Sequence, residues 1–313
     1  MDDSFFSKLK GMIASKKTKT FFLIFSAIAL IAVFLHLILE NWEIILSSLK
    51  NGKYEYLLLA FLVYTLNLPL TVYVWHLITR ELGLEIPWRK TLFVFCLSAL
   101  GKRLPGTLWY IAWRNELYAE EGKGGRFQIV ASSLEQLSIA LAAILLSSLF
   151  SFGIISRMPQ ALFAYLFILF LLVLFFVPSI QRRIFSKMGI TEYHLRFNKL
   201  LIWALYYIPV WILNGVLLFF ISNIFSPISW VSIPYFIGAV CLTGVISRVL
   251  IILPSNFGVG ELSLMLLLAG IIPVSIGAVI AVANRIIMIA FELIWAGLVI
   301  VLFGKEFKKV NTV

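Results

Sequence analysis

The chain has 313 residues, 61% of them hydrophobic and only 13% charged, against about 45–50% and 25% in soluble globular chains. That excludes a soluble enzyme, a disordered chain and a secreted disulfide scaffold, and leaves a polytopic α-helical membrane protein. The net charge of +11, from 26 Lys and Arg against 15 acids, lies mostly between apolar stretches, so it reads as topology rather than nucleic-acid binding: positive loops stay in the cytoplasm.

Residues 1–19 form a basic segment with Lys8, Lys10, Lys16, Lys17 and Lys19. The apolar run Thr20–Leu39 follows. It is longer than a signal-peptide core and no small-residue cleavage site follows it, so it reads as an uncleaved first span. Glu40 and Glu43 come next and read as a solvated outer loop. Tyr54–Ile78 is a second span with a kink expected at Pro69. Ile129–Phe152, Ala161–Val177, Leu200–Ile221 and Ser275–Phe303 read as four more.

Two regions do not read as ordinary spans. In Thr91–Tyr118 an apolar decapeptide, too short to cross, is cut by Gly101-Lys-Arg-Leu-Pro-Gly106 and followed by the aromatic stretch Thr107–Trp113. In Tyr235–Gly270 the break is Pro254-Ser-Asn-Phe-Gly-Val-Gly260, and Glu261 opens the next helical piece. Backbone freed by Gly and Pro at membrane depth has to line a cavity or be buried in protein.

Loop charges arrange these pieces. If each broken region is a hairpin returning to its own side, the inside segments are 1–19, 79–90, 114–128, 179–199 and the tail from Gly304. The loop 179–199 carries Arg182, Arg183, Lys187, Arg196 and Lys199. If each region crossed once, those five bases would lie outside, against the positive-inside rule. The expected fold is therefore all-α. About six full spans and two broken re-entrant hairpins, 91–118 and 235–270, make up a transmembrane domain over 20–303, with cytoplasmic termini and a basic tail at 304–313. The hairpins enter from opposite sides. The short likeness of Cys96-Leu-Ser-Ala-Leu100 to Cys241-Leu-Thr-Gly-Val245 reads as an inverted repeat, the arrangement that points to a transport site between repeats.

Five ionisable residues lie inside apolar sequence: Glu135, Arg248, Glu261, Arg285 and Glu292. Facing lipid they would cost roughly 12–17 kcal/mol together, even on the lenient insertion scale. They must face one another or a hydrated cavity. Arg285 and Glu292, seven residues apart, share a helix face and could be an internal ion pair. A cavity lined by Arg and Glu suits an anionic or zwitterionic headgroup, because Arg offers phosphate a planar fork. Arg103, Arg114, Arg248 and Arg285 are the expected phosphate ligands. Glu135, Glu261 and Glu292 would pair with them, hold a cationic headgroup part or carry a coupled proton. Lys102 stands beside the first break. Asn67 and Asn214 read as interhelical hydrogen-bonding residues, Trp109, Tyr110 and Trp113 as interfacial anchors, and His36 and His76 as structural.

Negative evidence narrows the chemistry. Asp2 and Asp3 are the only aspartates, and only Glu120 and Glu121 are adjacent acids. No DxD, GxSxG or P-loop motif is present. His36, His76 and His194 lie far apart, and Cys96 and Cys241 sit in apolar runs. No cofactor, metal or catalytic residue is expected.

Two stretches carry a resemblance to a known family. One is Arg103-Leu-Pro-Gly-Thr-Leu-Trp109, continuing through Arg114-Asn-Glu-Leu and Glu121-Gly122 to Glu135. The other is Leu253-Pro-Ser-Asn-Phe-Gly-Val-Gly-Glu261, followed by Gly270, Pro273 and Arg285. Over roughly residues 20–303 the chain resembles the flippase-like membrane domain of lysylphosphatidylglycerol synthases, which also occurs alone. Asn256-Phe257 stands where many members carry a further glycine, which stiffens the second break. Only ten residues follow the last span, so the synthase half is expected to be absent. The resemblance implies translocation in a cytoplasmic (inner) membrane. The cargo would be a phospholipid or a polyprenyl-phosphate-linked sugar, and an envelope-biogenesis enzyme a further partner. The alternatives are a membrane-embedded transferase on a lipid-linked substrate and a non-catalytic subunit recruiting an enzyme through 179–199.

Overall fold

The computed structural model describes residues 39, 42–50, 52–101, 109–119, 126–151, 166, 170, 197–249 and 258–308. Their regular structure is all helical, with no strand among them and short turns between the helices. In chain order the helices are α1 (Trp42–Lys50), α2 (Glu55–Glu81), α3 (Trp88–Gly101), α4 (Trp109–Ala119), α5 (Arg126–Phe150), α6 (Phe197–Phe225), α7 (Ile233–Val249), α8 (Val259–Leu268) and α9 (Val274–Lys308). A 3-10 turn, Trp230–Ser232, precedes α7.

Five stretches are long and apolar enough to cross a membrane: Glu55–Glu81, Phe127–Phe150, Asn198–Phe225, Trp230–Ser247 and Val274–Gly304. The chain is thus a multi-pass membrane protein. Four of the five coincide with spans expected from sequence. The fifth differs, because it lies in the region expected to be broken. The helix begins ahead of Tyr235, and with the 3-10 turn it reaches 18 residues, about 27 Å against a hydrocarbon core of about 30 Å. Apart from Leu39, Leu166 and Phe170, the expected spans Thr20–Leu39 and Ala161–Val177 lie outside the described residues, as do the loop 179–199 up to Arg196 and most of both breaks. So do segment 1–19 and the last five residues of the tail. Glu43 is on α1 and exposed, so the expected outer loop is helical there.

Central to the bundle is α6, packed against α2, α5, α7 and α9. It runs antiparallel to α2. Lys199 meets Glu81 at 2.9 Å at one end, Asn67 bonds Asn214 midway, and Tyr56 stacks on Phe220 near the other end. Both helices continue through an internal proline, Pro69 in α2 and Pro209 in α6. Adjacent spans can re-satisfy the carbonyl that a proline frees. Close approach elsewhere uses glycine. A side chain at Gly215 of α6 would meet the backbone of Ile237 at 2.6 Å, and one at Gly238 of α7 would meet the Phe150 carbonyl at 2.8 Å. Small residues at such crossings let membrane helices pack where no hydrophobic drive exists. By contrast α9 is peripheral. Only 17% of its apolar window is buried, against 56% for α6, and Ile286, Leu293, Leu298 and Val301 face outward.

The two short helices follow from local breaks. Gly83, at φ 84°, ends α2 in a Schellman turn: its N–H donates to the Arg80 carbonyl, and the Leu84 N–H donates to that of Thr79. Pro87 then opens α3, its carbonyl taking the Thr91 N–H. Trp88 packs beside Tyr73 and His76 near the end of α2, while Ala99 lies beside Asn67 around one cavity. So α3, about 21 Å long, stops halfway along α2. At the other break Gly258, at φ 88°, caps α8. This helix runs back along α7: Gly260 faces Ser247, and Gly270 faces Tyr235. The Tyr235 hydroxyl donates to the Leu267 carbonyl.

Candidate functional site

The intramembrane charges fall into three places. The first is a closed knot of four helices. Arg114 on α4 donates to Glu135 on α5 through Nη1 at 2.6 Å and Nη2 at 3.3 Å, the planar two-pronged pairing that only arginine makes. Its Nε donates to Ser98 Oγ on α3 at 3.2 Å. The guanidinium lies 3.8 Å from the ring centre of Trp75 on α2, with Phe95 and Tyr110 at 4.8 and 5.1 Å. Trp75 in turn donates to the Tyr118 hydroxyl at 3.2 Å. Both charged side chains are 0% exposed. The sequence put Arg114 and Glu135 in a headgroup cavity; in this conformation they form an internal ion pair that ties the first broken region to α2 and α5. Tyr110 is buried beside it, which corrects its reading as an interfacial anchor. Trp113 is partly exposed.

The second place is the start of α8. The Gly258 N–H donates to Glu261 Oε2 at 2.9 Å, and Arg285 Nη1 of α9 donates to Glu261 Oε1. One carboxylate thus caps its own helix and ties it to the last span. Arg285 and Glu261 remain 22% and 13% exposed. The direct partner of Arg285 across the helices is therefore Glu261; sequence had set Arg285 with Glu292, directly or through intermediate groups, and the direct form is not what is seen. Seven residues place two side chains on one face but about 10.5 Å apart along the axis, too far for a direct pair.

The third is a partly open cavity of about 200 Å³ bordered by α2, α3, α5, α6 and α9. Glu292 of α9 lines it, 8% exposed. Around it stand Asn67, Asn214, Thr71, Tyr64, Tyr207 and Trp211. Asn67 Nδ2 donates to Asn214 Oδ1 at 2.8 Å, the interhelical bond expected of these two residues. The hydroxyl of Thr71 donates to the Asn67 carbonyl at 3.0 Å. Among the described lining residues there is no Lys, Arg or His. Of the charged residues that sequence placed in one cavity, Glu292 is the one among the described lining residues; Arg114, Glu135, Glu261 and Arg285 stand elsewhere.

Of the other expected site residues, Arg103 and the Arg248 side chain lie outside the described residues, as do Lys102, Glu120, Glu121, His36 and His194. His76 is half-buried, 3.1 Å from the Thr91 hydroxyl and edge-on to Trp88, a structural setting. Cys96 and Cys241 are buried and not joined in a disulfide. Sequence reading passed over Tyr64, Thr71, Tyr207 and Trp211. Tyr64, Thr71 and Trp211 lie three or four positions from Asn67 or Asn214 and Tyr207 lies seven from Asn214, so each shares a helix face with its asparagine, and that spacing was the available signal.

Comparison with protein-family models finds no match to the chain, and neither does comparison with curated proteins.

Proposed function

We propose that the protein moves a lipid between the leaflets of a cytoplasmic membrane, and that it is a stand-alone relative of the flippase-like domain it resembles in sequence. The observation that carries this reading is a cavity among apolar helices that is lined mainly by apolar side chains and carries the carboxylate of Glu292 and the amides of Asn67 and Asn214. A carboxylate at membrane depth is costly to keep and by default marks a pathway or site. In this reading the headgroup passes through the bundle interior while its acyl or polyprenyl tails stay in the bilayer.

The finer topology belongs to the same proposal. The contact of Glu81 with Lys199 supports an even number of crossings between the end of α2 and the start of α6. With α5 and the expected span Ala161–Val177 each crossing once, α3 and α4 then form a re-entrant hairpin. The return of α8 along α7 to the level of Tyr235 supports a second. The bases of 79–90 and 179–199 put their shared side in the cytoplasm. Arg285, partly exposed, is the described base best placed for a phosphate, with Arg103 and Arg248 proposed beside it.

The test is movement of labelled lipid in vesicles holding the purified full chain, read by dithionite quenching of NBD-phosphatidylglycerol. Scrambling above that of protein-free vesicles is expected, slowed about tenfold, or 1.4 kcal/mol in barrier, by Arg285→Ala. If the chain leaves exchange at the protein-free rate for both this lipid and NBD-phosphatidylcholine, the reading fails.

A further inference from the structure

The two asparagines at the cavity leave a hydrogen-bonding pattern open. Asn67 is 5% exposed and lines the cavity together with Asn214. One bond joins their amides, from Asn67 Nδ2 to Asn214 Oδ1 at 2.8 Å. Two facing amides have the groups for two such bonds, one in each direction. Here the second is not made. Asn67 Oδ1 is buried with no hydrogen-bond partner in the protein, and Asn214 Nδ2 makes no hydrogen bond among the described residues. One acceptor and one donor therefore stand open beside the shared bond. Turning both amides over exchanges the two roles and removes neither.

The chemistry of an occupant follows. Buried polar atoms without partners are rare and need an explanation. An ionised phosphodiester accepts hydrogen bonds and donates none, so it cannot serve Asn67 Oδ1. An ammonium donates and accepts none, so it cannot serve Asn214 Nδ2. A hydroxyl does both with one atom. The Thr71 hydroxyl gives its proton to the Asn67 carbonyl and keeps lone pairs for a second hydroxyl. Tyr64, Phe95, Tyr207 and Trp211 line the same space. Aromatic walls with a few placed polar groups are the usual make-up of a small-molecule pocket, and such walls pack against the C–H edges of a polyol.

Size agrees. The cavity, about 200 Å³, is several times the share of one water in the liquid, about 30 Å³. It has room for a glycerol unit or one sugar ring. We propose that this cavity receives the uncharged, hydroxyl-bearing part of a lipid headgroup. One of its hydroxyls donates to Asn67 Oδ1 and accepts from Asn214 Nδ2. As the cargo class of a transporter this rests on the transport reading above; as a lipid site it does not.

The experiment uses the purified full chain in detergent. Glucosyldiacylglycerol and phosphatidylglycerol are titrated in mixed micelles, and bound lipid is counted by native mass spectrometry. Each is compared with a lipid of the same net charge whose headgroup has no hydroxyl, phosphatidylcholine for the first and phosphatidylmethanol for the second. At least one of the two should bind saturably and about tenfold tighter than its control, the worth of one or two net hydrogen bonds. Preference for the glucosyl lipid identifies a sugar, and preference for phosphatidylglycerol a glycerol unit. The double change Asn67→Leu with Asn214→Leu removes both amides together and leaves neither orphaned, so its thermal midpoint should stay near that of wild type. Its preference for the hydroxyl-bearing lipid should vanish. Should that variant fail to fold, Asn67→Ala decides by the same loss. No preference in wild type, or a preference that survives in the folded variant, overturns the proposal. Hydroxyl-dependent binding in a protein that moves no lipid would sink the transport reading and leave this site standing; lipid movement without that preference would do the reverse.

Discussion

Arg114 shows how much one side chain can hold. It bonds residues of α3 and α5 and stacks on residues of α2, α3 and α4. Removing one partner of a fully buried pair leaves an uncompensated charge, at a cost of about 3–5 kcal/mol. Arg114→Ala and Glu135→Ala should therefore each lower the thermal midpoint sharply. The double change Arg114→Leu with Glu135→Leu should recover most of that loss, since well-packed apolar residues often replace a buried pair at little cost. Arg114→Lys should not, because an ammonium offers neither the planar fork nor the stack. The Glu261–Arg285 pair is partly exposed and should cost less than half as much when Glu261 becomes Gln. Equal losses at the two pairs would undo this ranking. That these residues are charged at membrane depth is legible in sequence. Which charge meets which is not, because spacing along one helix says nothing of the helix packed beside it. Hence Arg285 found Glu261 and Glu292 faced a cavity.

At the scale of elements, apolar runs bounded by Gly, Pro and charge mark most helices within a few residues: α2, α5, α6 and α9 fall where the sequence suggests. The exception is α7, whose start depends on a 3-10 turn capped by Ser229, a local hydrogen bond that periodicity does not reveal. Glycine roles were equally hidden, since a glycine at a helix crossing reads like any other. The structure separates them. Gly215→Ala and Gly238→Ala would drive a methyl group into backbone atoms of a neighbouring helix. Each should cost about 1–3 kcal/mol, the usual effect of overpacking. Gly297→Ala in α9 meets nothing within 4 Å and should be neutral, or stabilising by up to about 1 kcal/mol from helix propensity. Thermal midpoints of the three variants in one detergent check the order. A Gly297→Ala protein as unstable as Gly238→Ala would show that side-chain space is not what decides.

For the whole molecule, the question is which ends share a side of the membrane. The antiparallel register of α2 and α6 puts Glu85 and Lys199 near one end of the bundle and Lys53 and Ser229 near the other. The return of α8 along α7 sets Ile271, which is exposed, on the Ser229 side. These five positions form two groups, and their separation does not depend on which lipid is carried or whether one is. With Cys96 and Cys241 replaced by alanine, single cysteines at Glu85, Lys199, Lys53, Ser229 and Ile271 can be labelled in intact cells with a membrane-impermeant maleimide. Lys53, Ser229 and Ile271 should react from outside. Glu85 and Lys199 should react only after permeabilisation, as the positive-inside rule requires of the bases around them. The decisive site is Ile271. Protection there together with labelling at Ser229 would mean that α7 and α8 cross together as one span rather than return as a hairpin. The start of α9 would then lie on the cytoplasmic side, and the opposed hairpins, with the transport site inferred between them, would have to be given up.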